Sequence, residues 1–390
     1  MQEPTFTLGI EEEYLLVDRE SRDLVTTMPP SLLEDCAARC GDQQVSPELL
    51  RAQIEVGTRV CSDMGEARES LGLLRKAVVE VADTHGLAPI AASTHPFAQW
   101  AQQKHTERPR YAALHAELQA AARRLLICGM HVHVGIEDDE LRIDLMNQFS
   151  YFLPHMLALS CSSPFWEAKD TGLKSYRLTV FDAVPRTGLP ERFDSYAEYE
   201  RHIQVMVEAG LIPDATMIWW DLRPSARYPT LETRIMDVCT NMEDALCLAA
   251  LAACTLRMLY RLRTNNQRWR LYSPLLLNEN RWRAMRYSFD KGLIDLGRGR
   301  IIPFAQLFEE LLELIRVDAD ALGCVPEVEH VRTILSGGTS AHRQLAVHEA
   351  AKKGGATEEE AAQAVVDHLI KETASGIRAS DPVPAKEGKS

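Results

Sequence analysis

"TLGIEEEYLLVD", residues Thr7 to Asp18, sets three glutamates in a row inside a segment that otherwise has the content of a buried strand. Side chains on an extended chain alternate, so Thr7, Gly9, Glu11, Glu13, Leu15 and Val17 share one face, and Leu8, Ile10, Glu12, Tyr14 and Leu16 the other. Glu11 and Glu13 then stand about 7 Å apart, at roughly 3.3 Å per residue. Like charges held that way repel unless cations lie beside them. An edge strand with its glutamates in water satisfies the same stretch, so the decision rests on the other strands.

The same alternation can be applied to each of them. In "GMHVHVGI", His131 and His133 share a face with Gly129 and Gly135, while Met130, Val132, Val134 and Ile136 take the other. In "TLETRIMDV", Glu232 and Arg234 lie opposite Leu231, Thr233 and Ile235. "WWDLRP" places Asp221 with Arg223, and "AQIEVGT" sets Glu55 between Ile54 and Val56. With the apolar faces packed on helices, one sheet face collects Glu11, Glu13, Glu55, His131, His133, Glu232, Arg223 and Arg234. So many charges coexist in a sheet cavity only when metal ions and an anionic ligand balance them.

The segments between these strands set the fold class. "DMGEARESLGLLRKAVVEVADTHG" reads as a helix, with Asp63 and Glu66 as a capping box, Ala67, Leu71, Leu74, Val78 and Val81 at helical spacing, and Gly86 as a stop. Tyr111–Leu126 repeats the pattern. Helices follow the last strand to about Thr373. There is no steady strand–helix rhythm of the kind that builds a parallel doubly wound sheet. The expectation is α+β, with a largely antiparallel sheet, a concave polar face and helices on its other face. Residues 1–375 are expected to form one domain, and the Pro-containing end, "GIRASDPVPAKEGKS", a disordered tail.

The totals narrow the function. In 390 residues, 46% hydrophobic and 25% charged, there is ample core. A net charge of −13 argues against DNA or RNA as a partner, since that affinity comes largely from cationic side chains. Nine cysteines without a CxxC pair do not make a disulfide framework and read as reduced, buried thiols. "MQEPTFTLGI" lacks a signal-peptide pattern. The most apolar stretch, from Ala245, meets Thr255 and Arg257 before it could span a bilayer and reads as a core helix. The expectation is a cytoplasmic protein with neither a nucleic-acid nor a membrane partner.

Carboxylates with one imidazole suit a hard divalent ion, Mg²⁺ or Mn²⁺, better than zinc. Nucleotide phosphates are the usual company of such ions, and no GxxxxGK[ST] loop is present to make a P-loop site. "SGGTSAHR" near Ser336 fits a helix start better than a phosphate cradle. "LGRGRIIPF" reads as a solvated basic turn.

"GIEEEYLLVD", "AQIEVGT", "GMHVHVGI", "SSPFWEAKDTGLKSYR", "WWDLRPS" and "TLETRIMD" resemble, in this order, the motifs of the bacterial carboxylate–amine ligases of the YbdK-like type, the glutamate–cysteine ligase 2 family. The resemblance runs over roughly residues 5–375. That family is similar in fold to glutamine synthetase, whose "GMHCHMS" strand resembles "GMHVHVG" here. The resemblance implies Glu11, His131 and Glu232 around one ion, and Glu13 and Glu55 around another with no third ligand evident. It also implies His133, Arg234 and Lys169 against the nucleotide, and Arg234, Arg223 and Arg177 as the groups that stabilise phosphoryl transfer. ATP, Mg²⁺ or Mn²⁺, a carboxylate such as the γ-carboxylate of glutamate, and an amine such as cysteine are the implied partners, with a homodimer compatible.

Three rivals share parts of this pattern. A guanidino-type phosphotransferase would stop at the phosphorylated product. A metallohydrolase would be built on "HVH". A non-catalytic small-molecule binder would keep the fold without turnover. Because Glu12 lies on the opposite strand face, its replacement is expected to affect turnover less than that of Glu11. Glu232→Gln is expected to leave the fold intact.

Overall fold

The structure, a computed structural model, describes residues 2–107 and 117–377. Its centre is a seven-stranded sheet formed by β1 (Leu8–Asp18), β2 (Gln44–Pro47), β3 (Gln53–Gly57), β4 (Leu87–Ile90), β5 (Met130–Gly135), β6 (Leu222–Pro224) and β7 (Thr230–Thr233). The strands run in the order β6-β7-β5-β1-β3-β2, with β4 pairing the far half of β1 on the β5 side. Every pair is antiparallel. The α+β class with an antiparallel sheet is therefore the class observed.

Register decides what the sheet presents. Glu11 stands opposite His131 on one side and Gly57 on the other, and Glu13 stands opposite Glu55. Glu232 lies between His133 and Arg223. Within β1 the even positions Leu8, Ile10, Glu12, Tyr14 and Leu16 are buried, while Gly9, Glu11 and Glu13 are partly open. The apolar face is covered by α2 (Met64–Thr84) and α5 (Met242–Thr264), and α1 (Leu32–Cys40) packs on α2. Asp63 caps α2 by accepting from the Glu66 N–H at 2.9 Å, while the Glu66 carboxylate returns to the Ser62 N–H, one residue earlier than the expected box.

Glu12 is where the buried face departs from an apolar pattern. It is fully buried, and Arg75 of α2 grips its carboxylate with Nε and Nη2 at 2.8 and 2.6 Å. The Tyr14 hydroxyl donates to it at 2.5 Å. Arg75 spends its remaining donors on the Thr240 and Cys239 carbonyls. The pair therefore ties β1 to α2 and to the segment that enters α5.

Helices α3 (Asp139–Phe149), α4 (Leu153–Ser160) and α7 (Phe304–Ala321) pack with α2 around α5, and α6 (Pro274–Tyr287) lies on α4. By length and composition alone α5 could cross a membrane, but 83% of its apolar window is inside the molecule. The nine cysteines are free and buried. "SGGTSAHR" is a helix start: Thr339 and His342 cap α8 (Ser340–Lys353), which packs on α9 (Glu358–Thr373). "LGRGRIIPF" forms the turn and second strand of the hairpin Leu293–Asp295/Arg300–Ile302. The helix expected over Tyr111–Leu126 falls largely outside the described residues, as does the tail beyond 377; Ala120–Arg123 is helical.

Candidate functional site

The polar face of the sheet brings together Glu11, Glu13, Glu55, His131, His133, Glu232, Arg223 and Arg234, as alternation requires. Their donor atoms fall into two groups. Oxygens of Glu11 and Glu232 and a nitrogen of His133 lie within 4.8 Å of one another. So do carboxylate oxygens of Glu13, Glu48 and Glu55.

Two details differ from what the resemblance implies. His133 completes the first group, where His131 was implied. His133 Nδ1 meets the Thr230 hydroxyl at 2.9 Å, and its buried Nε2 has no hydrogen-bond partner among the described residues and lies 3.4 Å from Glu11 Oε1. His131 sits between the groups, with Nδ1 3.0 Å from Glu11 Oε2 and Nε2 4.0 Å from Glu13 Oε1. An ionised carboxylate can only accept, so the His131 proton rests on Nδ1 and its Nε2 lone pair is free. Glu48 supplies the third member of the second group. It follows β2 directly, and the alternation Gln44, Ser46, Glu48 carries it onto the same face, with Ser46 opposite Glu55. Pro47 obscures the strand there, since proline is tolerated only at an edge.

Electrostatics separate the groups. Glu11 is held well below the ordinary carboxylate range: burial opposes ionisation, but the hydrogen bond from His131 and the electrostatic attraction of His131 and His133 outweigh it. Glu232 is likewise low, because Arg234 and Arg223 overcome its burial. Arg223 holds Glu232 in a fork at 2.9 and 3.1 Å, and Arg234 adds a third hydrogen bond. In the second group burial wins. Glu13 is raised to about 7 by burial and the charge of Glu55. Glu48 and Glu55 are raised by burial and by neighbouring carboxylates. His131 is lowered to about 4 by burial and Arg234, while the charges of Glu11 and Glu232 raise His133 against its burial.

Three buried carboxyls with raised pKa are the surroundings a divalent cation relieves, and the other group offers two ionised carboxylates and an imidazole with an unpartnered nitrogen. Both sets fit hard divalent ions, Mg²⁺ or Mn²⁺.

Arg177 enters from the 162–177 loop. Its guanidinium lies under Gly129, where a Cβ would stand 2.4 Å from Nη2, and it donates to the Arg234 carbonyl at 3.3 Å. Asp237 holds that loop, accepting from the Ser162 N–H at 2.9 Å and the Ser163 and Ser175 hydroxyls at 2.7 and 2.9 Å. Ser163 in turn accepts from the Arg177 N–H. Asp237 closes the "TLETRIMD" stretch, yet alternation alone gave it no role. Gly129→Ala must displace the guanidinium. It is expected to lower turnover about tenfold while the thermal midpoint stays within a few degrees, checked by steady-state kinetics beside melts.

Two residues singled out in the sequence lie off the face. Asp221 is buried at a bend before β6, paired with Arg281 of α6 at 2.6 Å, a partner sixty residues away that the local pattern could not reveal. Lys169 is exposed on the hairpin Phe165–Trp166/Lys169–Asp170 and makes no hydrogen bond or ion pair to the polar face.

Two solved structures share this fold. A bifunctional glutathione synthetase from Pasteurella multocida matches with a TM-score of 0.67 at 15% identity, covering 94% of this chain, which spans about half (52%) of that longer one. A glutamate–cysteine ligase from Francisella tularensis, in complex with AMP, matches with a TM-score of 0.66 at 13% identity, over 96% of this chain and 90% of that one. Among sequence relatives, "Putative glutamate--cysteine ligase 2" of Rhodospirillum rubrum is 62% identical over 387 residues, 98% of this chain and all of that one. A relative of the same name from Jannaschia sp. is 53% identical over 94% of this chain and 96% of its own, and one from Chloroflexus aggregans 42% over 95% and 93%. With residues 7–368 matched by its family model, the chain belongs to glutamate–cysteine ligase family 2.

Proposed function

We propose that this protein is an ATP-dependent carboxylate–amine ligase, acting on the γ-carboxylate of glutamate and joining it to cysteine or another amino compound, with residues 1–375 as one catalytic unit. The observation that carries the reading is the pairing, on one sheet face, of two three-donor groups with three guanidiniums. Glu11, Glu232 and His133, with His131 beside them, would hold one divalent ion, and Glu13, Glu48 and Glu55 the other. Mg²⁺ or Mn²⁺ bound there supplies charge neutralisation along the triphosphate.

A free carboxylate resists amines because its charge is delocalised and oxide cannot leave. Phosphorylation solves this: a carboxylate oxygen attacks the γ-phosphorus of ATP, the bond to the bridging oxygen breaks, and ADP departs. The amine nitrogen then attacks the acyl carbon, phosphate leaves with the bonding pair, and the amine's proton passes to solvent. Arg223 and Arg234 are held by Glu232 with planar forks suited to phosphoryl oxygens. Arg177 brings a further cation from the loop side.

A panel of carboxylates against amines, read by ADP release and by mass detection of the amide, tests this. ADP that appears only with both partners, together with an amide, is expected. ADP with a phosphorylated guanidine would favour the phosphotransferase, and ATP binding without turnover of any pair would favour a binder.

Metal removal gives a second test. The sheet is held by Leu8, Ile10, Val132, Val134 and Leu231, all buried, so a chelator is expected to stop ADP release while the protein stays folded. Glu13, Glu48 and Glu55 bind protons more tightly folded than unfolded. Without cation Glu13 therefore costs stability as pH rises from about 4.5 through about 7, and Glu48 and Glu55 act in the same sense. His131, lowered to about 4, acts in the opposite sense below about 6.5. A cation must displace those carboxyl protons. The gain in melting temperature on adding Mn²⁺ is thus expected to be small near about pH 5.5 and largest near about pH 8. A gain independent of pH would contradict the assignment of that group.

A further inference from the structure

A cavity of about 320 Å³ lies away from the polar face, between the junction of α3 and α4, the 268–272 segment and α7. The volume is within the range of about 300–1,000 Å³ usual for small-molecule sites. Four aromatic rings line it: the centroid of Tyr151 is 5.5 Å from those of Trp269 and Tyr272, and that of Phe152 is 5.0 Å from Trp269. Leu307, Leu311 and Leu314 of α7 complete the apolar wall.

The polar groups of the wall differ in what they have left to give. Asp295 and Glu310 are both held by Arg298, at 3.3 and 2.9 Å, and Arg268 is held by Asp144 at 2.6 Å. Burial pushes His155 down to about 4, so it is neutral. Among the described residues Trp269 Nε1 is buried with no hydrogen-bond partner, and an indole N–H can only donate. The Arg270 guanidinium lies 5.3 Å from the Tyr272 ring centroid and makes no ion pair among the described residues. An orphan donor and an unspent cation beside a cluster of tilted rings ask for a flat ligand that accepts hydrogen bonds and carries negative charge.

We propose that this cavity is a second binding site, one that takes a single-ring aromatic carboxylate. The ring lodges among Tyr151, Trp269 and Tyr272, and the carboxylate accepts from Trp269 Nε1 and pairs with Arg270. The assignment does not depend on the ligase reading, because none of the lining residues belongs to the polar face.

Calorimetric titration of the full chain with 4-hydroxyphenylacetate, its neutral amide and tyramine tests it. Saturable binding of the carboxylate is expected, with the amide about tenfold weaker and tyramine weaker still. Trp269→Phe keeps a ring but removes the donor, and Arg270→Gln changes an exposed side chain. Each is expected to weaken the carboxylate at least about fivefold with the melting temperature near that of the parent. Glu11→Gln is expected to leave this binding unchanged. No saturable binding of the carboxylate, equal or tighter binding of tyramine, or binding insensitive to both cavity variants would overturn the proposal.

Discussion

Replacing Glu12 by glutamine is expected to lower the thermal midpoint by about 5 °C, although Glu12 touches no residue of the polar face. The basis is the cost of about 3–5 kcal/mol for breaking a buried ion pair from one side, spread over the unfolding entropy of a chain this long. Glutamine offers one acceptor oxygen where the carboxylate receives Arg75 twice and Tyr14 once, and it leaves the guanidinium with no counter-charge. Arg75→Met is expected to cost more, since it strands the Glu12 carboxylate and the Cys239 and Thr240 carbonyls together. Melts followed by circular dichroism would check both. An unchanged midpoint in Glu12→Gln would mean that the pair contributes nothing to the fold. Glu12 thus sits on the face expected for it, but its replacement is not benign: any loss of turnover in this variant should be recovered on cooling.

Glu11→Gln is expected to reduce amide formation at least about a hundredfold at saturating cation, with the midpoint close to that of the parent. Glu11 is partly open, its hydrogen bond comes from His131, and glutamine matches it in bulk. The loss therefore reports the missing charge. Turnover above a tenth of the parent's would remove Glu11 from the site. Glu232→Gln is a poorer test than its strand position suggests. It is 2% exposed between Arg223 and Arg234, so neutralising it leaves two guanidiniums without their shared partner and is expected to lower stability as well as turnover.

What the sequence made legible follows the range of the physics. Period-two alternation is local, and it put Glu11, Glu13, Glu55, His131, His133 and Glu232 on one face because each lies in a regular strand. It could not choose between His131 and His133, which share that face. Rotamer and cross-strand register decide which imidazole meets Glu232. Arg75 left a readable trace, a charge beside Leu74 and Val78 on the apolar stripe of α2, and Glu12 left its mirror image on the apolar face of β1. A charged residue on each of two buried faces is a pairing signal. Asp221 left none, since its partner Arg281 comes from another helix, and Lys169 sits on a hairpin whose direction only tertiary packing sets.

In the proposed reaction the polar face activates a carboxylate by phosphorylating it. The carboxylate whose amide forms in the panel, labelled with ¹⁸O in both oxygens and incubated with ATP and its amine, tests this most directly. Phosphoryl transfer to the carboxylate predicts one ¹⁸O in the released phosphate for each amide made. Unlabelled phosphate, or label carried off on AMP, would contradict it.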